Sequence, residues 1–305
     1  MPRIVSLIAS ATEIVHALGL GGYQVGRSHE CDFPQSVQSL PVCTAPKFPV
    51  SGSSQEVDEK VKDTLRQAVS VYDVFDGVLE RLEPTHIITQ SQCEVCAVSL
   101  PDVERAVSAG LSSKPRIVSL QPNSLLDVWN DIKDVSEALD IARRGHELIE
   151  TLKSRMQSIS ERALLDQGRP RVACIEWLEP LMAAGNWVPE LVEMTGGVNL
   201  FGEAGKHSPW MNWDQLVEAD PDVIVVMPCG FDMKRTAEEM YWLTNSSQWP
   251  TLKAVRNHRV YVTDGNQFFN RPGPRLAESL QILAELLHPS AFKPELMGTG
   301  WQPFH

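Results

Sequence analysis

Two short stretches hold most of the reactive side chains in this chain. One is His29-Glu30-Cys31-Asp32, and the other is TQSQCEVCAVS (89–99), which places Cys93 and Cys96 at CxxC spacing. Thiolates and an imidazole suit zinc or a redox metal, so His29, Cys31, Cys93 and Cys96 make a possible S₃N ligand set. The same cysteines also read as thiols lining a ligand pocket or packing as small apolar residues, and H-E-C is not a standard zinc spacing. A thioredoxin-like pair wants its CxxC at a helix start, where the dipole lowers the thiol pKa. Here the next helix begins only at Leu100-Pro101-Asp102. Glu30, Asp32 and Glu94 add negative charge, which suits a cation or an amide-bearing ligand; beside a bound zinc, Glu30 or Glu94 would serve as general base. Gln90 and Gln92 bring amides to the same rim.

The second half of the chain supplies rings instead. Trp177 and Trp187 flank LEPLMAAGN, Cys229 and Phe231 follow an apolar run, and Phe268, Phe269 and Arg271 precede Pro272-Gly273-Pro274. Such rings fit a large apolar ligand, with Arg271 as a clamp for a polar substituent. No G-x-S-x-G elbow, P-loop or H-E-x-x-H occurs, so no hydrolase or nucleotide-dependent motif is present.

These residues need elements to position them. RIVSLI (3–8) reads as a buried strand and SATEIVHALG as the helix after it, with Ser10 and Glu13 as a capping box and Gly19 closing the helix in a left-handed turn. YQVGRS (23–28) is the next strand, and a Pro/Ser/Gly-rich loop follows. From Gln55 to Leu82 apolar residues recur at helical spacing, giving one or two helices. THIITQ (85–90) and RIVSLQ (116–121) are strands around a helix at 100–110, and the alternation implies a parallel sheet flanked by helices. Residues 124–167 are helical in composition with a break near Leu139–Gly145; about 25 residues at 1.5 Å each give a rod of roughly 37 Å, long enough to join two lobes. RVACIEW, DVIVVMP and RVYVTDG then restart the strand pattern, VPELVEMTGG reads as a helix with a glycine cap, and PRLAESLQILAELLHP closes the chain as an amphipathic helix.

The expected fold class is therefore α/β: two Rossmann-like lobes joined by a long backbone helix, with an N-terminal lobe over 1–123, a helical connector over 124–168 and a C-terminal lobe over 169–305. LEPTHIITQSQC and ADPDVIVVMPCG each run from an acid and a proline through a strand to a cysteine just past its end. Ligands of open parallel sheets collect outside the carboxyl ends of the strands, which points both loops at a cleft between the lobes.

Lys+Arg 27 against Asp+Glu 39 leaves a formal charge of −12, which repels phosphate backbones and anionic lipid, so no nucleic-acid partner is expected. No apolar run is long enough to insert in a membrane. The opening MPRIVSLIASATEIV has no unbroken apolar core or cleavage site of a secretory signal, so a cytoplasmic location and reduced cysteines are the expectation.

At this point the segments RIVSLIASATEIVHALGL, VGRSHECDFP, LEPTHIIT, WLEPLMAAGNWVPELVEMTGGVNLF, WMNWDQLVEADPDVIVV and NQFFNRPGPRLAESLQILAELL resemble, in order, the substrate-binding proteins with a rigid interdomain helix that capture cobalamin, iron chelates or metal ions for ABC transporters. The resemblance is nearest to the cobalamin-binding branch. It implies a non-catalytic protein holding a corrinoid such as cobalamin between its lobes, with an ABC transporter as partner and His29, Glu30, Asp32, Gln90, Gln92, Trp177, Trp187, Cys229, Phe231, Phe268 and Arg271 around the ligand. Cobalamin binders of that family commonly present aromatics on the N-lobe loops, where this chain has His29-Glu30-Cys31-Asp32 and Gln90-Ser91-Gln92-Cys93. The alternative from the residues themselves stays open: a zinc-dependent enzyme, or a cytosolic metal carrier or sensor.

Overall fold

The computed structural model describes residues 1–66, 71–92, 100–108, 111–166 and 168–305. Two compact units divide the chain: Met1–Gly52, Glu59–Pro122 and Leu126–Thr151 make the first, and Ser53–Asp58, Asn123–Leu125 and Leu152–His305 the second.

Up to the long helix the elements are β1 (Ile4–Ser6), α1 (Ala9–Ala17), β2 (Gln24–Arg27), β3 (Thr44–Pro46), α2 (Ser54–Arg66), β4 (Tyr72–Val74), α3 (Asp76–Leu82), β5 (His86–Gln90), α4 (Leu100–Ser108), β6 (Arg116–Leu120), α5 (Leu125–Ala138) and α6 (Ala142–Leu164). The first unit is built on a parallel sheet of order β2-β1-β5-β6. Ile4, Val5, Ile87 and Ile88 on its inner strands have no exposed surface. Burial on both faces explains why these strands read as continuous apolar runs, and each such side chain is worth roughly 2 kcal/mol. Ile14 and Val15 of α1 and Leu79 of α3 are equally buried. Gly19 takes φ +76° just past α1, the left-handed turn expected there.

Two local expectations are corrected. α1 begins at Ala9 with Ile8 at its N-cap and no side-chain cap, so Ser10 and Glu13 lie inside the helix and form no capping box. The reason is the short strand-to-helix connection: the turn that leaves β1 is already helical at Ala9, and Ser10 is 1% exposed. The stretch 55–82 is not wholly helical either, since Tyr72–Val74 is extended and pairs antiparallel with Thr44–Pro46. A three-residue strand in a helically spaced stretch owes its conformation to that distant partner, which local periodicity cannot display.

α6 runs 23 residues, about 35 Å at 1.5 Å per residue. The chain passes from the first unit to the second within it, after Thr151.

The second unit follows with β7 (Arg171–Trp177), β8 (Met182–Ala183), α7 (Val188–Met194), β9 (Val198–Asn199), α8 (Trp213–Ala219), β10 (Val223–Val226), α9 (Met233–Glu239), α10 (Tyr241–Thr244), α11 (Lys253–Arg256), β11 (Val260–Thr263), α12 (Leu276–Leu287) and β12 (Trp301–Pro303). The sheet order is β12-β11-β10-β7-β8, with β9 also on β7. β10 is central, parallel to β7 on one side and to β11 on the other, and all four of its residues are fully buried. The antiparallel β12 covers the edge of β11. α8 starts in a capping box in which Asn212 and Gln215 satisfy each other's backbone N–H.

Candidate functional site

In each unit the parallel strands end on a common edge, and some of the predicted ligand residues follow the strands there while others are buried. In the first unit Arg27, the last residue of β2, shapes the loop that follows. One guanidinium nitrogen donates to the carbonyl oxygens of Ser28 (3.0 Å) and Cys31 (3.2 Å), and the other to that of Gln38 (3.3 Å). His29 is held against this loop: its backbone N–H donates to Thr44 Oγ1 (3.2 Å), its Nδ1 lies 2.8 Å from the same oxygen, and its ring packs 5.4 Å from that of Tyr72. Burial, helped by the charge of Arg27, lowers the His29 pKa, so the imidazole is neutral at physiological pH. Its Nε2 stands 3.9 Å from Glu30 Oε1.

Cys31 goes elsewhere. It is 1% exposed, and its sulfur accepts a hydrogen bond from Thr12 Oγ1 of α1 at 3.0 Å, while Gln24 Nε2 donates to Thr12 in turn. Cys43 is likewise interior, with burial pushing its thiol up to about 11. Asp32 is half-buried, its carbonyl accepting from Gln38 Nε2. Gln90 is buried at the end of β5 and Gln92 half-buried beyond it. Between them Ser91 Oγ accepts from Gln121 Nε2 (2.7 Å) and Ser119 Oγ (3.1 Å), tying the ends of β5 and β6 together. Cys93, Glu94 and Cys96 lie outside the described residues. Among the described residues no three of His, Cys, Asp and Glu converge on a metal position.

In the second unit the edge is aromatic. Trp177 at the end of β7 stands opposite Met182 of β8, and Met182 bridges antiparallel to Trp210. Directly opposed residues of antiparallel pairs share a face, so the three form a row across the edge. Trp177 and Met182 are half-buried and Trp210 is 55% exposed. Phe231, in the turn after β10, tilts against Trp177 with ring centres 5.2 Å apart, and the Arg235 guanidinium lies 3.7 Å over the Phe231 ring. The result is an apolar row whose exposed end is Trp210; Phe231 is buried and backs Trp177, and Arg235 beyond it is flanked by Asp232 and Glu239.

Most of the remaining predicted residues are turned inward, away from any ligand surface. Trp187 is buried and its indole N–H donates to Phe269 O at 2.9 Å. Phe268 and Phe269 are buried in the helical turn Gly265–Phe269, which Asp264 caps by accepting from Gln267 N and Nε2, both at 2.8 Å. Burial raises the Asp264 pKa, against those two bonds and the charge of Arg271. Arg271 itself is 5% exposed and donates to Asn266 Oδ1 at 3.0 Å. Cys229 is half-exposed, its N–H on Glu176 O. The row is not legible in the sequence, because Met182 and Trp210 are joined to Trp177 only through pairing. The Phe231–Arg235 contact had a signal in its four-residue spacing.

The family model described as periplasmic binding protein matches residues 4–266. The ABC transporter substrate-binding lipoprotein YvrC of Bacillus subtilis is 26% identical over 295 residues, 95% of this chain and 81% of that one. A vitamin B12-binding protein of Vibrio cholerae is 24% identical over 290 residues, covering 93% and 88%. Among solved structures, the periplasmic heme-binding protein RhuT from Roseiflexus sp. RS-1 superposes with a TM-score of 0.70 at 22% identity, covering 95% of this chain and 99% of that one.

Proposed function

Since the chain belongs to the periplasmic binding protein family, we propose that it captures a large flat macrocycle, a corrinoid such as cobalamin, against the Trp177–Met182–Trp210 shelf and holds it without chemical change. The observation that carries this reading is the exposure of Trp210 at the end of a row continued by Met182 and Trp177, with Phe231 packed behind Trp177 and Arg235 beside it. A macrocycle rim lies flat on rings, and amide or carboxylate fringes suit the guanidinium of Arg235. Similarity to vitamin B12-binding proteins over nearly the whole chain supports the same ligand class.

Covering roughly 100 Å² of the Trp210 side chain at about 25 cal/mol per Å² is worth about 2.5 kcal/mol. Titration with cyanocobalamin followed by visible absorbance is therefore expected to saturate, and Trp210→Ala to weaken binding by about sixtyfold. Unchanged affinity in that variant removes the shelf from the site.

A second reading follows from His29. Burial disfavours protonation of its ring, and in the tautomer whose Nδ1–H donates to Thr44 Oγ1 the Nε2 lone pair is open to a metal. We therefore also infer that a metal-centred macrocycle, heme included, is coordinated there. Hemin titration separates the two: a Soret shift lost in His29→Ala favours coordination, and saturation by cyanocobalamin alone favours the shelf.

A further inference from the structure

The amino ends of the second unit's strands line an open depression of about 460 Å³. β7, β10 and β11 run parallel, so the residues just ahead of them, Pro170, Asp222 and Arg259, share one edge. That edge is opposite the one bearing Trp177 and Phe231. Asp166, Arg169, Lys253 and Asn257 complete the charged wall.

Three cations and two carboxylates meet here, but the carboxylates are already engaged. Asp222 Oδ2 accepts Arg171 N–H at 2.8 Å, and its Oδ1 lies 2.6 Å from Lys253 Nζ. Asp166 Oδ1 accepts Gly168 N–H at 3.2 Å, and its Oδ2 accepts Ser290 Oγ at 3.3 Å and stands 3.3 Å from His288 Nδ1. The cations are spent less. Arg259 commits one nitrogen, Nη2, to the carbonyls of Leu286 (3.0 Å) and Leu287 (3.2 Å) at the end of α12. Arg169 makes no hydrogen bond or ion pair among the described residues. The wall thus holds surplus N–H donors with a net positive balance, in a chain whose overall charge is −12.

We propose that this depression binds a small phosphate-bearing metabolite, its phosphoryl oxygens taken by Arg169 and Arg259 with the Asn257 amide and the free N–H groups of Lys253. Guanidinium forks match phosphoryl oxygens two at a time. Ligand pockets run from about 300 to 1,000 Å³, so the volume leaves space for an organic body beside the phosphoryl group. This site is independent of the macrocycle shelf at the other end of the sheet, and neither proposal depends on the other.

The test is isothermal titration calorimetry of the full chain with inorganic phosphate and, in parallel, glycerol 3-phosphate, at constant ionic strength against a chloride reference. Saturable millimolar binding of both is expected, weakened by about tenfold in Arg169→Ala and further in Asn257→Asp, which adds a negative charge to the wall. Arg169 is exposed, and circular dichroism of the variant confirms that its fold is kept. Cyanocobalamin affinity is expected to be the same with and without phosphate. Responses that rise linearly as in chloride, binding of inorganic phosphate with rejection of glycerol 3-phosphate, or equal affinity in wild type and Arg169→Ala each overturn the proposal.

Discussion

Asp131 offers the most quantitative handle on this molecule. It sits on α5 with 5% of its surface exposed. One carboxyl oxygen accepts the Gln121 N–H at 3.2 Å, and the other is buried without a partner. Burial pushes the carboxyl up from 3.8 to about 7, reinforced by Asp134 and Asp127 and opposed by the Gln121 N–H. A tenfold change in proton affinity corresponds to about 1.4 kcal/mol, so ionising Asp131 in the fold costs roughly 4 kcal/mol more than in the unfolded chain. The sign follows from the raised value: the stabilisation carried by the bound proton is complete below pH 3.8 and is lost as pH climbs through about 7. Between about pH 5 and pH 8 the loss amounts to roughly 2.5 kcal/mol, most of it before pH 7. Asp131→Asn keeps an oxygen for Gln121 and has no proton to release. Urea denaturation of both proteins across that range should show the wild type falling toward alkaline pH relative to the variant by this amount. Stability curves that stay parallel would refute the assignment.

Gly265 approaches the end of β10 so closely that a Cβ would stand 2.3 Å from Pro228 O and 2.6 Å from Met227 C. Gly265→Ala is expected to cost about 1–3 kcal/mol in thermal unfolding and to weaken cyanocobalamin binding by displacing the turn that carries Phe231. Asn212→Ala removes the reciprocal cap of α8 and should lower the urea midpoint by the equivalent of about 1 kcal/mol. Cys31→Ala deletes the acceptor of Thr12 Oγ1; a loss of about 1 kcal/mol is expected, with metal content by mass spectrometry unchanged. Stoichiometric zinc that disappears in that variant would restore Cys31 as a ligand.

The strands were legible because their signal is local. RVACIEW reads directly as Arg171–Trp177, and DVIVVMP and RVYVTDG enclose Val223–Val226 and Val260–Thr263. Valine and isoleucine buried on both faces leave an unbroken apolar run that needs no partner to be recognised. The break before α6 was also visible, near Asp140, which takes φ +58°. What stayed hidden depends on pairing at a distance: Tyr72–Val74 on Thr44–Pro46, Trp301–Pro303 on β11, and Trp210 beside Met182. Trp187 and Cys31 show the matching limit for the site. A tryptophan or cysteine next to a ligand edge has the same type and spacing whether it turns outward or inward, and here backbone and hydroxyl partners, Phe269 O and Thr12 Oγ1, turn both inward.

Arg27 separates the path of a loop from its composition. One guanidinium gathers carbonyls from Ser28 to Gln38, and every residue type offers the same carbonyl. The outward-facing side chains along that stretch are therefore not what holds its trace, whereas Cys31 and Val37 pack inward. Replacing what the loop displays is thus expected to leave its path intact, provided that the single arginine beneath it is kept.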